Sequence, residues 1–283
     1  MASMTENYPI TNISFLYKYG MTIQNSTSIN GTLNPETKLS VLAGVCRDSE
    51  DIIDIRFGDN NPSINGSITS APVRIDNTIN GAGGLDEGTI LPNTMYAIYI
   101  IADSSGRLPI SAIATGALNI FLVPPSPLMP SGYDAKRLIG FWGTDSNTLW
   151  QKGYYSGLTN DLIFTYDNPQ LTSVISGSSN VYDYVNLFDF VPNIENIPVS
   201  ISTIFSPGAA GNTLTLASGR STNPDGQVII TGQVSGVDVT NVNTILTQHV
   251  LVSPYPFVSP VIQYKVSGVD TVSISVAGFS ISI

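Results

Sequence analysis

The side chains that carry most enzyme chemistry are scarce in this chain. Its 283 residues include one histidine, His249, and one cysteine, Cys46. A hydrolase triad needs a histidine beside a nucleophilic serine and an orienting carboxylate, and the chain has no Gly-X-Ser-X-Gly elbow to hold that serine. His249 lies in the apolar stretch Gln248–Val252, which predicts a histidine on a strand face. We expect no enzyme activity and no catalytic residue.

The sequence allows two interpretations of the single cysteine. Arg47 follows it directly and would lower the pKa of the thiol, whereas a buried cysteine behaves as a small hydrophobic side chain. We favour the buried form. One cysteine cannot form an intrachain disulfide, and one cysteine with one histidine cannot supply the ligands of a zinc site.

An acidic cluster follows this cysteine. Its members are Asp48, Glu50, Asp51 and Asp54. Clustered oxygen ligands suit Ca²⁺, but the spacing of an EF-hand loop is absent, so a bound cation and a solvated acidic turn both stay open. We favour the turn, without metal or cofactor. There we predict that Arg47 bridges a carboxylate and a loop carbonyl, with Asp48 as its ion-pair partner.

Aromatic side chains are concentrated in one short span. They are Trp142, Trp150, Tyr154 and Tyr155. Exposed rings of this kind would stack on sugars or contact a partner protein, whereas a β-sandwich commonly buries them in its core. A glycosidase would need two carboxylates across a cleft, and no local pattern nominates a pair. Phosphate-binding and dinucleotide-binding motifs are absent as well.

The composition limits the partners of the chain. Charged residues make up 11% of it, against about 25% in typical soluble domains. The net charge is −10, and the eleven Lys and Arg residues are scattered, which argues against nucleic-acid binding. No run of apolar residues approaches the length that spans a membrane. The first residues do not resemble a signal peptide, so we expect synthesis in a reducing cytoplasm.

Short segments of alternating apolar and polar residues predict an all-β fold, an antiparallel β-sandwich that is jelly-roll-like. Thr94–Ala102 is apolar on both faces and is expected to be central. Val123–Pro130 carries four prolines and is expected to be a surface connector. Further strands are predicted at Leu39–Val45, Pro198–Phe205, Leu214–Ala217, Gln227–Val234, Val261–Val266 and Thr271–Ile283.

The N-terminal residues 1–35 differ from the rest and predict an arm or a loosely packed pair of strands. They contain the apolar cluster Ile13, Phe15, Leu16, Tyr17 and Tyr19. A cluster this small cannot form a core alone, so it must bury against the chain's own sandwich or against a neighbouring subunit. We favour attachment to a neighbour. Residues 36–283 would then form the sandwich, as one unit or as two divided near 123–130 or 192–198.

Several elements of the chain stand in an order that resembles a family of bacteriophage virion proteins from tail and fibre regions. They are the Ala-Gly-X-X-Arg-Asp-Ser element within Leu39–Ser49, the loop Asn80–Gly88, the strand Thr94–Ile101 with the turn Asp103–Gly106, the pair Pro130–Asp134 and Arg137–Gly140, and Thr144–Asp145. The C-terminal pair Tyr264–Val266 and Val272–Phe279 is similar to the strands that end such proteins.

The resemblance implies a structural component of a virion, belonging to the tail, fibre, neck or capsid surface, that acts by self-assembly and protein binding. Its expected partners are copies of itself, with a trimer as the first expectation, and other virion proteins. Two alternatives stay open. One is an adhesin that binds carbohydrate on the host surface, and the other is a depolymerase of capsule polysaccharide.

Overall fold

A computed structural model describes the chain in segments. They are residues 18–25, 37–57, 73–106, 110–116, 126–157, 159–172, 177–193, 197–209, 211–218, 228–231, 234–235, 238–239, 242–252, 260–268 and 270–283. These segments contain twenty strands and no helix, and the paired strands are antiparallel. The prediction of an all-β antiparallel fold is therefore confirmed. Within the same segments there is no helix that would be long and apolar enough for a membrane span.

The strands of the first half, in chain order, are β1 (Lys18–Gly20), β2 (Ile23–Asn25), β3 (Lys38–Val41), β4 (Gly44–Arg47), β5 (Asp54–Phe57), β6 (Val73–Asp76), β7 (Met95–Ala102), β8 (Ile110–Gly116), β9 (Ala135–Gly143) and β10 (Gly153–Ser156). Those of the second half are β11 (Asp161–Leu171), β12 (Asp183–Asn186), β13 (Ile197–Ser206), β14 (Thr213–Ser218), β15 (Val228–Thr231), β16 (Val234–Ser235), β17 (Asp238–Val239), β18 (Val242–Val252), β19 (Pro260–Val266) and β20 (Thr271–Ser282).

One long sheet contains most of these strands. Eleven of its twelve strands run in the order β15-β14-β19-β18-β13-β20-β11-β10-β2-β3-β6, and β12 is the twelfth, which pairs with β19. Two three-stranded sheets, β1-β4-β5 and β8-β7-β9, and the small ribbon β16-β17 complete the fold. The long sheet thus takes strands from both sides of residues 123–130 and of residues 192–198.

Two strands change sheet at one corner of the molecule. The predicted strand Leu39–Val45 is interrupted after Val41, so that β3 belongs to the long sheet and β4 to the sheet β1-β4-β5. The chain between β1 and β2 turns at the same place, where the N–H of Met21 donates to the carbonyl of Ala43 at 3.1 Å. A side chain on Gly20 would collide with that carbonyl. Strands that bend from one sheet into another form the corners of packed sheets.

The core lies between the long sheet and the sheet β8-β7-β9. Every residue of the central strand β7 is buried, which confirms the prediction for Thr94–Ala102. The rings of Trp142 on β9 and Phe164 on β11 meet edge to face at 4.8 Å between centroids. Tyr96 on β7 meets Trp150 in the same way at 5.5 Å. These contacts join the two sheets into the layers of a sandwich.

Part of the N-terminal segment belongs to the sandwich. Residues 18–20 and 23–25 are strands, and the side chains of Met21 and Ile23 are fully buried in the common core. Tyr19 from the apolar cluster is 58% exposed. The other four members of that cluster, Ile13, Phe15, Leu16 and Tyr17, lie outside the described residues. A truncation at residue 30 would therefore remove two strands of the fold.

Candidate functional site

Three of the four aromatic side chains singled out in the sequence are core residues. Trp142 and Trp150 have no significant exposure, and Tyr155 is also buried. The indole N–H of Trp142 donates to the carbonyl of Gln151 at 2.8 Å, and that of Trp150 donates to the carbonyl of Thr37 at 3.0 Å. Burial makes these three rings part of the core, although Trp150 also borders a cavity described below. The surface interpretation applies to Tyr154 alone.

Tyr154 lies on the outer face of β10. Its side chain is 51% exposed, while its neighbour Tyr155 points into the core. This alternation follows from the period of two in a strand. In the long sheet Tyr154 is paired with Thr165 of β11 and with Gln24 of β2. The ring is therefore presented on a rigid surface of neighbouring strands.

A polar cavity of about 220 Å³ lies next to the start of β10. It is lined by Asp145, Trp150, Gln151, Lys152, Asn168 and Gln170. Lys152 comes directly before β10 and is exposed, as is Tyr154 within the strand. Tyr154 itself is not among the residues that line the cavity.

A β-bulge supplies one wall of the cavity. The pairing of β11 with β20 changes register between Thr165 and Gln170, and the bulge brings Asn168 and Gln170 to the cavity. The amide of Gln170 donates to the carbonyl of Asn168 at 2.7 Å, which fixes its position. The sequence has no signal for this wall, because a bulge is defined by pairing with β20, more than 100 residues later.

One residue beside the cavity, Gln151, has a buried polar atom that is unsatisfied and is not accessible from the cavity. Gln151 is 5% exposed, and its Oε1 has no hydrogen-bond partner among the described residues. Asp145 stands opposite in a tight turn, where its Oδ1 accepts the N–H groups of Asn147 at 2.8 Å and Leu149 at 2.9 Å. Asp145 and the amide groups of Asn168 and Gln170 thus give the cavity a polar lining.

The prediction that Arg47 forms an ion pair with Asp48 is wrong, because Arg47 pairs with other carboxylates. Nε of Arg47 lies 3.1 Å from Oδ1 of Asp54 and 3.6 Å from Oδ1 of Asp51, and Nη1 donates to the carbonyl of Ile52 at 3.2 Å. The expected bridge between a carboxylate and a loop carbonyl is thus confirmed. The Nε group is close to Asp54 but is not aligned as a hydrogen bond, so the contact is an ion pair.

Asp48 has a different role, because neighbouring residues of a strand point to opposite faces. Its Oδ1 accepts the N–H groups of Ile52 at 2.7 Å and Ile53 at 2.9 Å, and it closes the turn. Arg47 instead stands directly opposite Asp54 in the pairing of β4 with β5.

In the part of the chain that is described, no three metal-binding side chains come together.

A buried group of ionisable side chains lies behind this turn. Cys46 is fully buried, and burial raises the pKa of its thiol to about 12 despite the nearby Arg137 and Lys18. This confirms the interpretation of Cys46 as a small hydrophobic residue. Lys18 is paired with Cys46 across β1 and β4 and donates to the carbonyl of Thr159 at 3.3 Å. Burial lowers the pKa of Lys18 to about 8.

The single histidine is in a strand, as predicted. His249 belongs to β18, where its backbone is paired with Pro198 of β13. Its side chain lies outside the described part of the structure.

Comparison with known proteins identifies no family. No protein-family model matches the chain, and the search of curated proteins finds no match. The resemblance to bacteriophage virion proteins therefore stays a prediction from the sequence, and the function has to be argued from the geometry.

Proposed function

We propose that this chain is a structural component of a bacteriophage virion, which works by assembling with copies of itself and with neighbouring virion proteins. The observation that supports this proposal is the end of the long sheet at β15, where no described strand covers the edge. In such an assembly, strand edges and apolar side chains are buried against the partner.

Strand β15 has the features of an edge that accepts a further strand. It pairs with β14, and no described strand covers its other side. Its sequence, Val-Ile-Ile-Thr, has no charge and no proline, and Ile229 is 60% exposed. Soluble proteins usually protect an edge strand with charges, prolines or a covering segment.

The opposite end of the same sheet is protected. Strand β6 contains Arg74 and Asp76, and Asp76 forms an ion pair with Lys38 at 2.9 Å. The N–H of Asp76 also donates to the carbonyl of Gly83 at 2.7 Å, so the glycine-rich loop covers part of this edge. The contrast between the two ends favours β15 as the assembling edge.

Oligomeric state tests this edge directly. We expect light scattering of the purified chain to give an oligomer, with a trimer as the first expectation, and Ile229→Lys to shift it towards monomer. Ile163→Lys is the matched control, because Ile163 is also half exposed but lies on β11 inside the sheet. A monomeric wild-type chain at high concentration, or an equal effect of both substitutions, would contradict the proposed edge.

Incorporation into particles tests the virion assignment. An affinity-tagged chain produced during infection is expected in purified particles, and Ile229→Lys is expected to be depleted from them. A chain without residues 1–17 tests the predicted attachment role of the N-terminus while keeping β1 and β2. Absence of the wild-type chain from particles would overturn the virion proposal, and normal incorporation of the truncated chain would overturn the attachment role.

A further inference from the structure

The end of the long sheet at β15 restricts the strand that can pair with it. We propose that its partner is β15 of a second copy of this chain, paired antiparallel about a two-fold axis perpendicular to the sheet. This inference rests on the proposed assembly through β15 and deepens it, because it names the partner and fixes the geometry of the contact.

The absence of charge on this edge suits contact with an identical copy. In a two-fold contact the same surface meets itself, so a charged residue would lie close to the like charge of its own copy. Strand β15, Val-Ile-Ile-Thr, and its neighbour β14, Thr-Leu-Thr-Leu-Ala-Ser, contain no charged residue. The chain has a net charge of −10, and two copies therefore meet with less repulsion at an uncharged edge.

The faces of the sheet decide the direction of pairing. A two-fold axis perpendicular to the sheet makes two identical edge strands antiparallel, and the core faces of both sheets then continue on one side. A two-fold axis within the sheet would instead turn the core face of one copy to the outer side of the other. Antiparallel pairing also matches the rest of the long sheet, in which every described pair is antiparallel.

Pairing of β15 with a different edge would join the copies head to tail. The other end of the same sheet, β6, is poorly suited to this contact. It contains the charged residues Arg74 and Asp76, and the N–H of Asp76 already donates to the carbonyl of Gly83. A trimer built through β15 would need such a head-to-tail contact. The two ends of the sheet therefore favour a dimer through β15.

The register of this contact is restricted as well. Directly opposite residues of an antiparallel pair lie on the same face, so one residue of β15 must stand opposite its own counterpart. The central positions of the strand are Ile229 and Ile230. With either of them at the axis, Ile229 lies within about 8 Å of Ile229 in the second copy, directly opposite it or on the diagonal.

Cross-linking of the full chain tests this geometry. Ile229→Cys, treated with a thiol reagent that spans about 8 Å, is expected to give a covalent dimer. The native Cys46 is buried, and its pKa is raised to about 12, so the wild type is expected to give none. Ile163→Cys is the matched control, because Ile163 is also half exposed but lies on β11 inside the sheet.

Exchange of charge tests the symmetry. In sedimentation velocity the wild type is expected to be a dimer. Ile229→Lys and Ile229→Asp are each expected to shift it to monomer, because the two-fold axis brings like charges together. An equimolar mixture of the two variants is expected to restore the dimer, since a lysine then meets an aspartate.

The outcomes separate this inference from the assembly proposal. A wild-type oligomer that Ile229→Lys disrupts, but that gives no cross-link at Ile229→Cys, would overturn the two-fold contact and leave assembly through β15 in place. Failure of the mixture to restore the dimer would overturn the two-fold contact in the same way. A monomeric wild-type chain at high concentration would contradict assembly itself.

Discussion

The hydroxyl group of Tyr155 lies between the two backbone groups of Phe141, accepting its N–H at 2.9 Å and donating to its carbonyl at 2.6 Å. Tyr155 is on β10 of the long sheet, and Phe141 is on β9, whose other side pairs with β7. The tyrosine hydroxyl therefore satisfies backbone groups on the edge of β9 that no described strand pairs with. Burial also raises the pKa of Tyr155 well above its ordinary value, which keeps the hydroxyl protonated.

Removal of this hydroxyl is expected to destabilise the fold. Tyr155→Phe leaves a buried N–H and a buried carbonyl of Phe141 without partners, which costs roughly 2–4 kcal/mol of unfolding free energy. Urea unfolding measures the change. Tyr154→Phe is the control and is expected to be neutral, because that ring is half exposed. Equal midpoints for the two variants would contradict the proposed role of the Tyr155 hydroxyl.

Asp270 holds two loops together at one end of the long sheet. Its Oδ1 accepts the N–H of Gly208 and the amide of Asn212, both at 2.6 Å, and its Oδ2 accepts the N–H of Gly268 at 3.1 Å. Asp270→Ala is expected to cost roughly 2–4 kcal/mol, because three donors lose their acceptor. The exposed Asp161→Ala is the control. A thermal unfolding midpoint unchanged from wild type would disprove the role of Asp270.

The buried Lys18 predicts an unusual dependence of stability on pH. Its pKa is lowered by burial from 10.5 to about 8, so between these values the unfolded chain binds more protons than the folded chain. Stability then rises with pH in this window. The pKa of Cys46 is raised from 9.0 to about 12. This shift makes stability fall with rising pH above about pH 9. The net rise is therefore expected between about pH 8 and pH 9.

Lys18→Met isolates this contribution. The variant is expected to be more stable than wild type at neutral pH, since a buried charge is removed, and its stability should not rise between about pH 8 and pH 9. Urea unfolding at a series of pH values measures both effects. If Lys18→Met keeps the rise in stability between about pH 8 and pH 9, Lys18 is not its cause. If the wild type shows no such rise, the pKa of Lys18 is not lowered.

Arg47 is expected to stabilise the turn after β4. Arg47→Ala removes the ion pair with Asp54 and the hydrogen bond to the carbonyl of Ile52, and we expect a loss of roughly 1–3 kcal/mol. Arg56→Ala is a matched control, because Arg56 contacts Asp54 at 3.2 Å but is more exposed. Its expected loss is below about 1 kcal/mol. Similar unfolding free energies for the two variants would argue against a special role of Arg47.

The sequence predicted many of the strands, because the period of two is a local property. The apolar character of both faces of Met95–Ala102 indicated a central strand, and the structure buries all of it. The tight turn at Asp103–Gly106 was also readable from its residues, and the N–H of Gly106 donates to the carbonyl of Asp103 at 2.9 Å. Such features depend on neighbours within a few positions.

The partners of the candidate site residues could not be predicted in this way. Arg47 pairs with Asp54 because β4 and β5 are aligned in that register, whereas sequence proximity suggested Asp48. The alternation on β10 required that one of Tyr154 and Tyr155 face outwards, but only packing against Phe164 decided which one. Strand register is set by contacts between distant segments.

The sequence by itself determined an all-β chain with little charge, few catalytic side chains and a set of aromatic residues for the core. The tertiary structure decided where strands change sheet, that β15 ends the long sheet among the described strands, and that a bulge in β11 brings Asn168 and Gln170 to a polar cavity. The physical reason is the range of the interactions. Strand propensity acts over a few residues, whereas an edge, a bulge and a cavity exist only when segments far apart in the chain pair and pack.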